Sequence, residues 1–497
     1  MLYRMEILDI ETEMELKCLK LSELLKNIPH EMIQGDDCEI LTAEIDSRKV
    51  KSKTLFICQQ GLTVDGHDYI QGAVQKGASA ILIENKSVPL PADVAVVYVE
   101  NTRKATAYLA ANLHGNPAKK LRLIGATGTN GKTSVTCFIE EILRQCGRKT
   151  GLIGTNGARI GEKPLDISFL TSTTPDQLEL HAIFAQMLSE GVQDVVMEVS
   201  SHALALYKME GLTFDVSVFT NLTQDHLDFH GTMENYRLAK AALFTQSQFA
   251  VVNADDESTS TMLAHHGDDP FTTYGIDNPA NLQAIHIKYE PMGIIFDLAE
   301  KQYTLPIKGK FNIYNTLAAI GTAQALGLDE NAICKAVSQL TGVPGRIQSV
   351  PNNRGLNVFV DYAHSPDGLV NIISSVREFT TGRVITLFGC GGDRDTLKRP
   401  IMGRIAGEMS DFCILTSDNP RTENPMEILK QVEEGIREVS THYISIENRR
   451  DAIFSGIKML SHGDSLIIAG KGHEDYQIIG TKTFHFSDYE VALEALS

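Results

Sequence analysis

The sequence lacks paired cysteines. Its eight cysteines are scattered along the chain, and no two of them form a Cys-x-x-Cys motif. The spacing therefore indicates neither a zinc site nor a disulfide framework. Free thiols at this density are typical of a reducing compartment, so we expect a cytoplasmic protein.

Long apolar runs and an excess of basic residues are also absent. No apolar run approaches the roughly 18 residues of a transmembrane helix, and the acidic N-terminal stretch lacks the apolar core of a signal peptide. Lys and Arg number 45 against 63 Asp and Glu, which gives a net charge of −18. Because a nucleic-acid backbone is neutralised by a basic surface, we expect no nucleic-acid partner. We expect a monomer that does not insert into a membrane.

Short apolar runs alternate with helical stretches along the whole chain. The runs that predict buried strands are 78–84, 94–100, 121–127, 194–200, 216–222, 383–389 and 465–470. They are nearly continuous in Val, Ile and Leu, as parallel strands covered on both faces should be. The stretch 134–147 has apolar residues at helical spacing and ends at a glycine. The alternation predicts α/β layers built on parallel sheets.

Two turn-rich stretches divide the chain. At roughly 100–200 residues per domain, 497 residues correspond to two to four domains. Breakers at 114–120 and 341–346 mark the junctions. The predicted domains are therefore 1–116, 117–345 and 346–497.

A glycine-rich loop follows the apolar run at 121–127. It reads Gly128, Thr129, Asn130, Gly131, Lys132, Thr133, and Ser134 comes next. Glycines let backbone N–H groups curl around phosphate oxygens, and the N-terminus of the following helix adds partial positive charge. The lysine reaches the terminal phosphates, and the threonine hydroxyl can ligate Mg²⁺. The loop predicts a nucleoside triphosphate site, although Ala126 stands where the general pattern has glycine. The alternative is a glycine-rich turn with a chance Lys-Thr pair.

Acidic and histidine side chains follow two other apolar runs. Glu198 lies at the end of one run, and Asp225 and His226 follow the next. In a doubly wound sheet, ligands bind outside the carboxyl ends of the strands, so both groups should face the phosphate loop. A carboxylate suits Mg²⁺, whereas an imidazole suits a softer ion. The two groups predict a divalent ion beside the triphosphate; the alternative is ordinary surface loops.

Nine stretches together resemble the Mur ligase family. In chain order they are GTNGKT, EVSSHAL, NLTQDHLDFHGTMENY with a following AK at 239–240, GKFNIYN, VPGR, DYAHSPDG, FGCGGDRD, DNPRTENP and AGKGHEDYQ. The resemblance covers roughly 42–497 and implies three domains: a UDP-binding domain, a central ATP-binding domain and a Rossmann-like C-terminal domain. It implies a ligase in which a substrate carboxylate attacks the γ-phosphate of ATP and an amine then attacks the acyl phosphate. Within the family, the motifs resemble members that add meso-diaminopimelate to UDP-N-acetylmuramoyl-L-alanyl-D-glutamate during peptidoglycan synthesis.

The resemblance also implies roles for individual residues. Magnesium-binding positions are matched by Thr133, Glu198, His226 and Lys240, the last as a carbamate, and the implied catalytic residues are Lys132, His226 and Lys240. Implied ATP contacts are the loop residues 128–134 with Asn315, Arg346 and Asp361. Implied contacts to the UDP-muramoyl dipeptide are Ile45, Ser47, Leu62, Thr63, Val64, Ser172, Thr173, Thr174, Ser200, Leu206 and Lys208. Leu206 and Lys208 depart from the polar residue and the arginine expected there. Without the resemblance, Lys240 would be a solvated helix lysine, Asn315 a helix cap and Arg346 a surface charge.

The stretch 416–425 indicates which amine is used. Its Asn-Pro turn places Arg421 on a stiff backbone. meso-Diaminopimelate carries a carboxylate that lysine lacks, and a guanidinium pairs with a carboxylate through two parallel hydrogen bonds while repelling a bare ammonium. We therefore expect meso-diaminopimelate rather than lysine; the alternative for Arg421 is a loop ion pair. The expected pocket comprises Arg394, Asp418, Asn419, Pro420, Arg421, Gly470 and Glu474.

Two other functions remain open at this point. One is a related amide-forming ligase of the folylpolyglutamate or D-alanyl-D-alanine-adding type, against which the DNPR and GKGHEDYQ stretches speak. The other is a non-catalytic, nucleotide-gated sensor of cell-wall precursors. A sensor needs no metal-bridged γ-phosphate, so the set of Lys132, Glu198, His226 and Lys240 favours an enzyme.

Overall fold

The computed structural model of the chain describes residues 18–61, 64–165, 173–290 and 293–497. Its backbone contacts divide the chain into two compact units. The first comprises 1–132 and 143–272, and the second comprises 133–142 and 273–497.

Helices and strands alternate through both units. The helices are α1 (Leu21–Leu24), α2 (Ile70–Gln75), α3 (Thr102–Leu113), α4 (Lys132–Gln145), α5 (Gln177–Ser189), α6 (Ser201–Ala205), α7 (Leu227–His230), α8 (Met233–Ala241), α9 (Thr259–His266), α10 (Lys310–Ala325), α11 (Glu330–Val337), α12 (Pro366–Arg377), α13 (Lys398–Met409), α14 (Pro425–Arg437), α15 (Arg449–Lys458) and α16 (Asp488–Leu496). The strands are β1 (Leu19–Lys20), β2 (Glu31–Gln34), β3 (Glu39–Ile40), β4 (Thr42–Glu44), β5 (Thr54–Ile57), β6 (Ala78–Ile83), β7 (Ala95–Tyr98), β8 (Arg122–Thr127), β9 (Thr150–Gly154), β10 (Gly157–Ile160), β11 (Lys163–Pro164), β12 (Asp194–Glu198), β13 (Val216–Phe219), β14 (Ala250–Asn253), β15 (Phe271–Gly275), β16 (Leu282–Glu290), β17 (Gly293–Leu298), β18 (Lys301–Leu305), β19 (Gln348–Ser349), β20 (Asn357–Asp361), β21 (Val384–Phe388), β22 (Phe412–Leu415), β23 (Tyr443–Ser445), β24 (Ser465–Ala469), β25 (Tyr476–Ile479) and β26 (Lys482–His485).

The N-terminal part of the first unit is built on a five-stranded sheet in the order β2-β7-β6-β5-β4. Neighbours from β4 to β7 are parallel, and β2 pairs antiparallel with β7. Successive side chains of a strand point to opposite faces. Accordingly, Leu55 and Ile57 pack into one apolar cluster and Phe56 into another. The sheet is therefore covered on both faces.

The phosphate loop lies at the end of a second sheet in the first unit. There β8 lies between β12 and β13 and is parallel to both. Glu198 at the end of β12 pairs with Ala126 of β8, and Phe219 at the end of β13 pairs with Thr127. The carboxyl ends of these three strands therefore coincide, which is where a parallel sheet binds its ligands.

The C-terminal part of the second unit is a six-stranded sheet in the order β19-β20-β24-β21-β22-β23. Strands β20 to β24 are parallel to their neighbours, and β19 is antiparallel to β20. Asp361 at the end of β20 pairs with Ala469 at the end of β24. This pairing brings the segments after both strands to one edge of the sheet.

The fold class predicted from the sequence is confirmed. Each run predicted as a buried strand forms one, namely β6, β7, β8, β12, β13, β21 and β24. The predicted helix starts at Lys132, two residues earlier than expected, and is followed by Gly147 with φ +83°. In the described part of the chain, no helix is long and apolar enough to span a bilayer. The domain boundaries at 116/117 and 345/346 stay a prediction.

Candidate active site

The phosphate loop connects β8 to α4. Gly128 and Gly131 have φ values of +151° and +84°, conformations that glycine adopts without steric cost. The Lys132 ammonium donates hydrogen bonds to the carbonyl oxygens of Gly128 and Thr129, each at 2.9 Å. The lysine side chain thus folds back over the loop, where a lysine that serves terminal phosphates belongs.

The segment after β13 holds the loop in shape. The Thr129 N–H donates to the Asn221 carbonyl oxygen at 2.8 Å, and the Asn130 N–H donates to Asn221 Oδ1 at 2.9 Å. The Thr220 hydroxyl donates to the Asn130 carbonyl oxygen at 2.6 Å. A Cβ at Gly128 would overlap the Thr220 side chain. Sequence reasoning missed Thr220 and Asn221, because both lie within the run 216–222 that was predicted as a strand, whereas β13 ends at Phe219.

Lys240 reaches the same loop from α8. Its side chain is 1% exposed, and its Nζ donates to the Gly128 carbonyl oxygen at 2.8 Å and lies 4.4 Å from the centre of the Tyr236 ring. Burial is the main cause that holds the pKa of the Lys240 ammonium well below its usual value, and the charge of Lys132 is the second cause. The alternative of a solvated helix lysine is therefore wrong.

Glu198 is the last residue of β12 and is 2% exposed. Its Oε1 accepts a hydrogen bond from the Thr155 N–H at 2.8 Å, and its Oε2 accepts one from the Thr155 hydroxyl at 3.2 Å. A Cβ at Gly154 would overlap the Glu198 carboxylate. Glycine at position 154 therefore makes room for the carboxylate, and Thr155 orients it.

Three histidines gather beside this carboxyl edge. His226 begins α7 with φ +52°, and its ring lies 4.8 Å from that of His202, centre to centre. His230 lies 5.5 Å from His202 in the same measure, and its Nε2 lies 2.9 Å from the Ser201 hydroxyl. Burial lowers the pKa of all three imidazoles, that of His230 to about 4. The neutral imidazole is the form that ligates metal ions.

Of the four side chains expected to bind magnesium, two carry a carboxylate or an imidazole, namely Glu198 and His226. Consistent with this, no group of three or more His, Cys, Asp or Glu side chains placed to hold a metal ion occurs in 18–61, 64–165, 173–290 or 293–497. The remaining expected donors are the Thr133 hydroxyl and Lys240. An ammonium repels a cation, so the donor set fits Mg²⁺ when Lys240 carries a carbamate, which supplies oxygen ligands.

Four of the residues expected to contact the muramoyl dipeptide lie together in the first unit. The Thr174 hydroxyl donates to the Glu198 carbonyl oxygen at 3.0 Å and lies 3.3 Å from the Ser200 hydroxyl. The buried Lys208 ammonium donates to the Thr174 carbonyl oxygen at 3.3 Å and pairs with Asp176 at 2.7 Å. Thr173 contacts Thr155, its hydroxyl lying 3.3 Å from the Thr155 hydroxyl. These four residues therefore lie together around the backbone that carries Glu198.

The other residues expected at the UDP-muramoyl end are more dispersed. Leu206 is half-buried at the end of α6, and Ile45 and Ser47 are half-buried after β4. Val64 is 52% exposed. The expected residues Leu62, Thr63 and Ser172 lie outside the described residues.

The remaining expected ATP contacts belong to the second unit. Asn315 is 5% exposed inside α10, so it is not a helix cap. The Arg346 guanidinium lies 4.9 Å from the centre of the Tyr362 ring, which makes it a stacked rather than a free surface charge. Asp361 is 8% exposed and accepts hydrogen bonds from the N–H groups of Ile347 and Ala363, each at 2.8 Å. Burial raises the pKa of the Asp361 carboxyl.

The loops after β22 and β24 meet in a polar cluster. Asn419 Nδ2 donates to Glu474 Oε2 at 3.2 Å, and Asn419 Oδ1 accepts from the Ile478 N–H at 2.9 Å. Asp418 is 7% exposed, and a Cβ at Gly470 would lie 3.3 Å from its carboxylate. The structure thus brings together Asp418, Asn419, Gly470 and Glu474 of the expected amine pocket.

Arg421 and Pro420 lie on the same loop. Arg421 has φ +49°, and its Nη1 donates to the Gly392 carbonyl oxygen at 2.8 Å. A Cβ at Gly391 would lie 3.0 Å from Arg421 Nη1 and 3.8 Å from the Arg394 side chain, so the two arginines flank one glycine. No ion pair of Arg421 is found in the described part of the chain, which leaves the loop-ion-pair alternative unsupported.

Three family models match successive parts of the chain. They are "Mur ligase family, catalytic domain" at 39–114, "Mur ligase middle domain" at 126–323 and "Mur ligase, glutamate ligase domain" at 345–472. The chain belongs to the Mur ligase family. The phosphate loop and Glu198 fall within the second of these matches, and Asp418, Asn419 and Gly470 fall within the third.

Named relatives cover almost the whole chain. A protein of Clostridium acetobutylicum named UDP-N-acetylmuramoyl-L-alanyl-D-glutamate–2,6-diaminopimelate ligase 1 is 44% identical over 483 residues, which are 96% of this chain and 99% of that protein. A ligase of the same name, without the numeral, from Bacillus licheniformis is 44% identical over 494 residues, covering 97% and 99%. A solved structure of a 2,6-diaminopimelate ligase is 30% identical, with a TM-score of 0.70 and coverage of 97% and 99%.

Proposed function

We propose that the protein joins meso-diaminopimelate to the D-glutamate carboxylate of UDP-N-acetylmuramoyl-L-alanyl-D-glutamate, with hydrolysis of ATP to ADP and phosphate. The observation that carries the proposal is the position of Lys240, buried against Gly128 of the phosphate loop. A carbamate on this buried lysine would add a metal ligand beside the triphosphate loop, which phosphoryl transfer uses. The names of the 44% identical relatives support the same substrates.

We infer that the reaction passes through an acyl phosphate. The D-glutamate carboxylate attacks the γ-phosphorus of ATP, and Lys132 neutralises negative charge on the phosphoryl group as it is transferred. The amine of the incoming amino acid then attacks the acyl carbon, and phosphate leaves. Mg²⁺, held by Thr133, Glu198, His226 and the carbamate of Lys240, would supply the positive charge that offsets the phosphate oxygens.

The carbamate forms when the neutral amine of Lys240 attacks CO₂, which makes a nitrogen–carbon bond and releases one proton. The burial of Lys240 supports this step because a desolvated lysine is readily neutral. Tyr236 covers the lysine at 4.4 Å. A carbamate in this place would be shielded from bulk solvent.

We assign the remaining substrate contacts to the three domains predicted from the sequence. We propose that 1–116 with the cluster of Thr173, Thr174, Ser200 and Lys208 binds the UDP-muramoyl dipeptide. We propose that Asn315, Arg346 and Asp361 contact the adenosine or γ-phosphate of ATP and that 117–345 is the ATP-binding domain. The domain 346–497 would then bind the amino acid.

We propose that Arg421 and Arg394 bind the carboxylate that distinguishes meso-diaminopimelate from lysine, while Asp418, Asn419 and Glu474 bind its ammonium end. Separate contacts support this division, since Asn419 donates to Glu474 whereas Arg421 and Arg394 flank Gly391. A zwitterionic amino acid pairs with both. Pro420 and Gly470 would bring backbone close to the ligand.

Phosphate release tests the proposal. The protein is mixed with ATP, Mg²⁺ and UDP-muramoyl dipeptide, with and without meso-diaminopimelate, and inorganic phosphate is measured. Release that depends on both organic substrates supports the ligase. Nucleotide binding without turnover would support a sensor, and turnover with another amine or acid acceptor would support a related ligase.

A further inference from the structure

The polar cluster after β24 contains a buried lysine that has no assigned role. Lys471 is 0% exposed and lies directly after Gly470. Its Nζ donates to Asn419 Oδ1 at 3.2 Å and to Glu474 Oε2 at 3.4 Å, and it lies 3.5 Å from Asp418 Oδ1. An ammonium has three N–H groups, and all three of these oxygens belong to residues proposed to hold the amino acid.

Lys471 fixes the orientation of Asn419. The Asn419 Oδ1 accepts from the Lys471 ammonium and from the Ile478 N–H at 2.9 Å. Because both partners are donors, the amide cannot exchange its oxygen and nitrogen, and Nδ2 must point to Glu474 Oε2 at 3.2 Å. The lysine thereby determines that Asn419 presents its donor group to Glu474.

Lys471 also holds two carboxylates in one place. Asp418 Oδ1 is buried and has no hydrogen-bond partner among the described residues, so the nearby ammonium at 3.5 Å offsets its charge. Without that charge, two neighbouring carboxylates would repel each other and one would be displaced. With it, the cluster of Asp418, Glu474 and Lys471 keeps one net negative charge, which suits an incoming ammonium.

We propose that Lys471 is a positioning residue that holds Asp418, Asn419 and Glu474 in the geometry that binds the ammonium end of the incoming diamino acid. The inference rests on the proposed function. The lysine does not contact the substrate itself, since its side chain is 0% exposed and its ammonium donates to Asn419 and Glu474. It acts on amino-acid binding and leaves the nucleotide site, which lies on other residues, unchanged.

Steady-state kinetics of Lys471→Met and Lys471→Gln test the proposal, with the exposed Lys482→Met on β26 as the control. Glutamine keeps a donor for Asn419 but removes the charge, so the test does not depend on one variant folding. We expect KM for meso-diaminopimelate to rise about tenfold or more in both variants, the effect of losing charge-assisted contacts. KM for ATP and for the UDP-muramoyl dipeptide should change less than about twofold, and the control should match the unaltered protein.

Two results would overturn the assignment. KM for meso-diaminopimelate could stay unchanged in a folded variant, or all three KM values could rise together as they would after general loosening. Either result would show that Lys471 has no specific role in amine binding, and the proposed ligase function would still stand. If the unaltered protein itself shows no amine-dependent phosphate release, the proposed function fails and the assignment fails with it.

Discussion

Lys240 Nζ donates a hydrogen bond to the carbonyl oxygen of Gly128 at 2.8 Å. The contact joins residues 112 positions apart and places a buried amine at the loop proposed to bind the phosphates of ATP. It makes α8 part of the proposed phosphate site. The predictions that follow start from this contact and from the polar cluster of the second unit.

Replacement of Lys240 by alanine should abolish ligation. Loss of the proposed carbamate would remove a metal ligand, and we expect amine-dependent phosphate release to fall on the order of 100-fold or more. The matched control is Lys163→Ala, which removes an exposed lysine of the same unit. Thermal melting of both variants shows whether the fold is kept.

The carbamate itself can be tested by its carbon source. Protein prepared without CO₂ should lose activity and regain it with bicarbonate, and ¹³C-labelled bicarbonate should give a carbamate signal that Lys240→Ala lacks. Full activity in rigorously CO₂-free buffer would show that Lys240 works as an unmodified amine.

Replacement of Gly154 by alanine should displace Glu198. The added Cβ would overlap the carboxylate that Thr155 holds. A displacement of about 1 Å in a catalytic group costs on the order of 100-fold in rate, so kcat should fall by about that factor. Gly72→Ala is the control, because a Cβ at Gly72 meets no atom within 4 Å. Equal kcat values for the two variants would argue against a role for Glu198.

Removal of the Arg421 guanidinium should weaken selection of meso-diaminopimelate. Arg421→Ala loses a charge-assisted pair worth about 1.5–3 kcal/mol, so kcat/KM for meso-diaminopimelate should fall about tenfold or more. Because Arg421 has φ +49°, alanine at this position also strains the backbone. Arg421→Gly relieves that strain and should lose the same selectivity. If kcat/KM for lysine fell in parallel, the guanidinium would not be the selecting group.

The ion pair of Arg399 and Glu423 should make stability depend on pH. Arg399 donates to both Glu423 oxygens, at 2.8 and 2.9 Å, and these bonds lower the pKa of the Glu423 carboxyl from 4.5 to about 2. Because the folded-state pKa is depressed, the stabilisation is present above the unfolded-state pKa and is lost as the pH falls toward about 2.

Glu423→Gln should therefore lower the free energy of unfolding at pH 7 by about 1.5–3 kcal/mol, the range for hydrogen bonds to charged groups. The difference from the unaltered protein should shrink between pH 5 and pH 2, as followed by urea unfolding at several pH values. Glu427→Gln on α14 removes an exposed carboxylate and is the control. A difference that stays constant over this range would exclude the linkage.

The sequence was informative where neighbouring residues act together. The phosphate loop is one continuous segment, so its glycines, Lys132 and the start of α4 could be predicted from order alone. The strand ends at Glu198 and near His226 were also predictable, because polar residues follow apolar runs at the ends of parallel strands.

Contacts between distant residues were not predictable in the same way. Lys471 meets Asn419 across 52 positions, and nothing in the spacing of either indicates a shared contact. The burial of Lys240 likewise depends on how α8 packs against α6, α7 and α9, which helical periodicity does not indicate. Strands β15 to β18 were not among the predicted strands, and polar residues interrupt the apolar pattern of β16 and β18.

The central claim is the identity of the joined amine, and mass spectrometry of the product tests it most directly. The protein is incubated with ATP, Mg²⁺ and UDP-N-acetylmuramoyl-L-alanyl-D-glutamate in the presence of equal concentrations of meso-diaminopimelate and lysine. We predict that the UDP-muramoyl tripeptide carries diaminopimelate in large excess over lysine. A product that carries mainly lysine, or no tripeptide at all, would contradict the account.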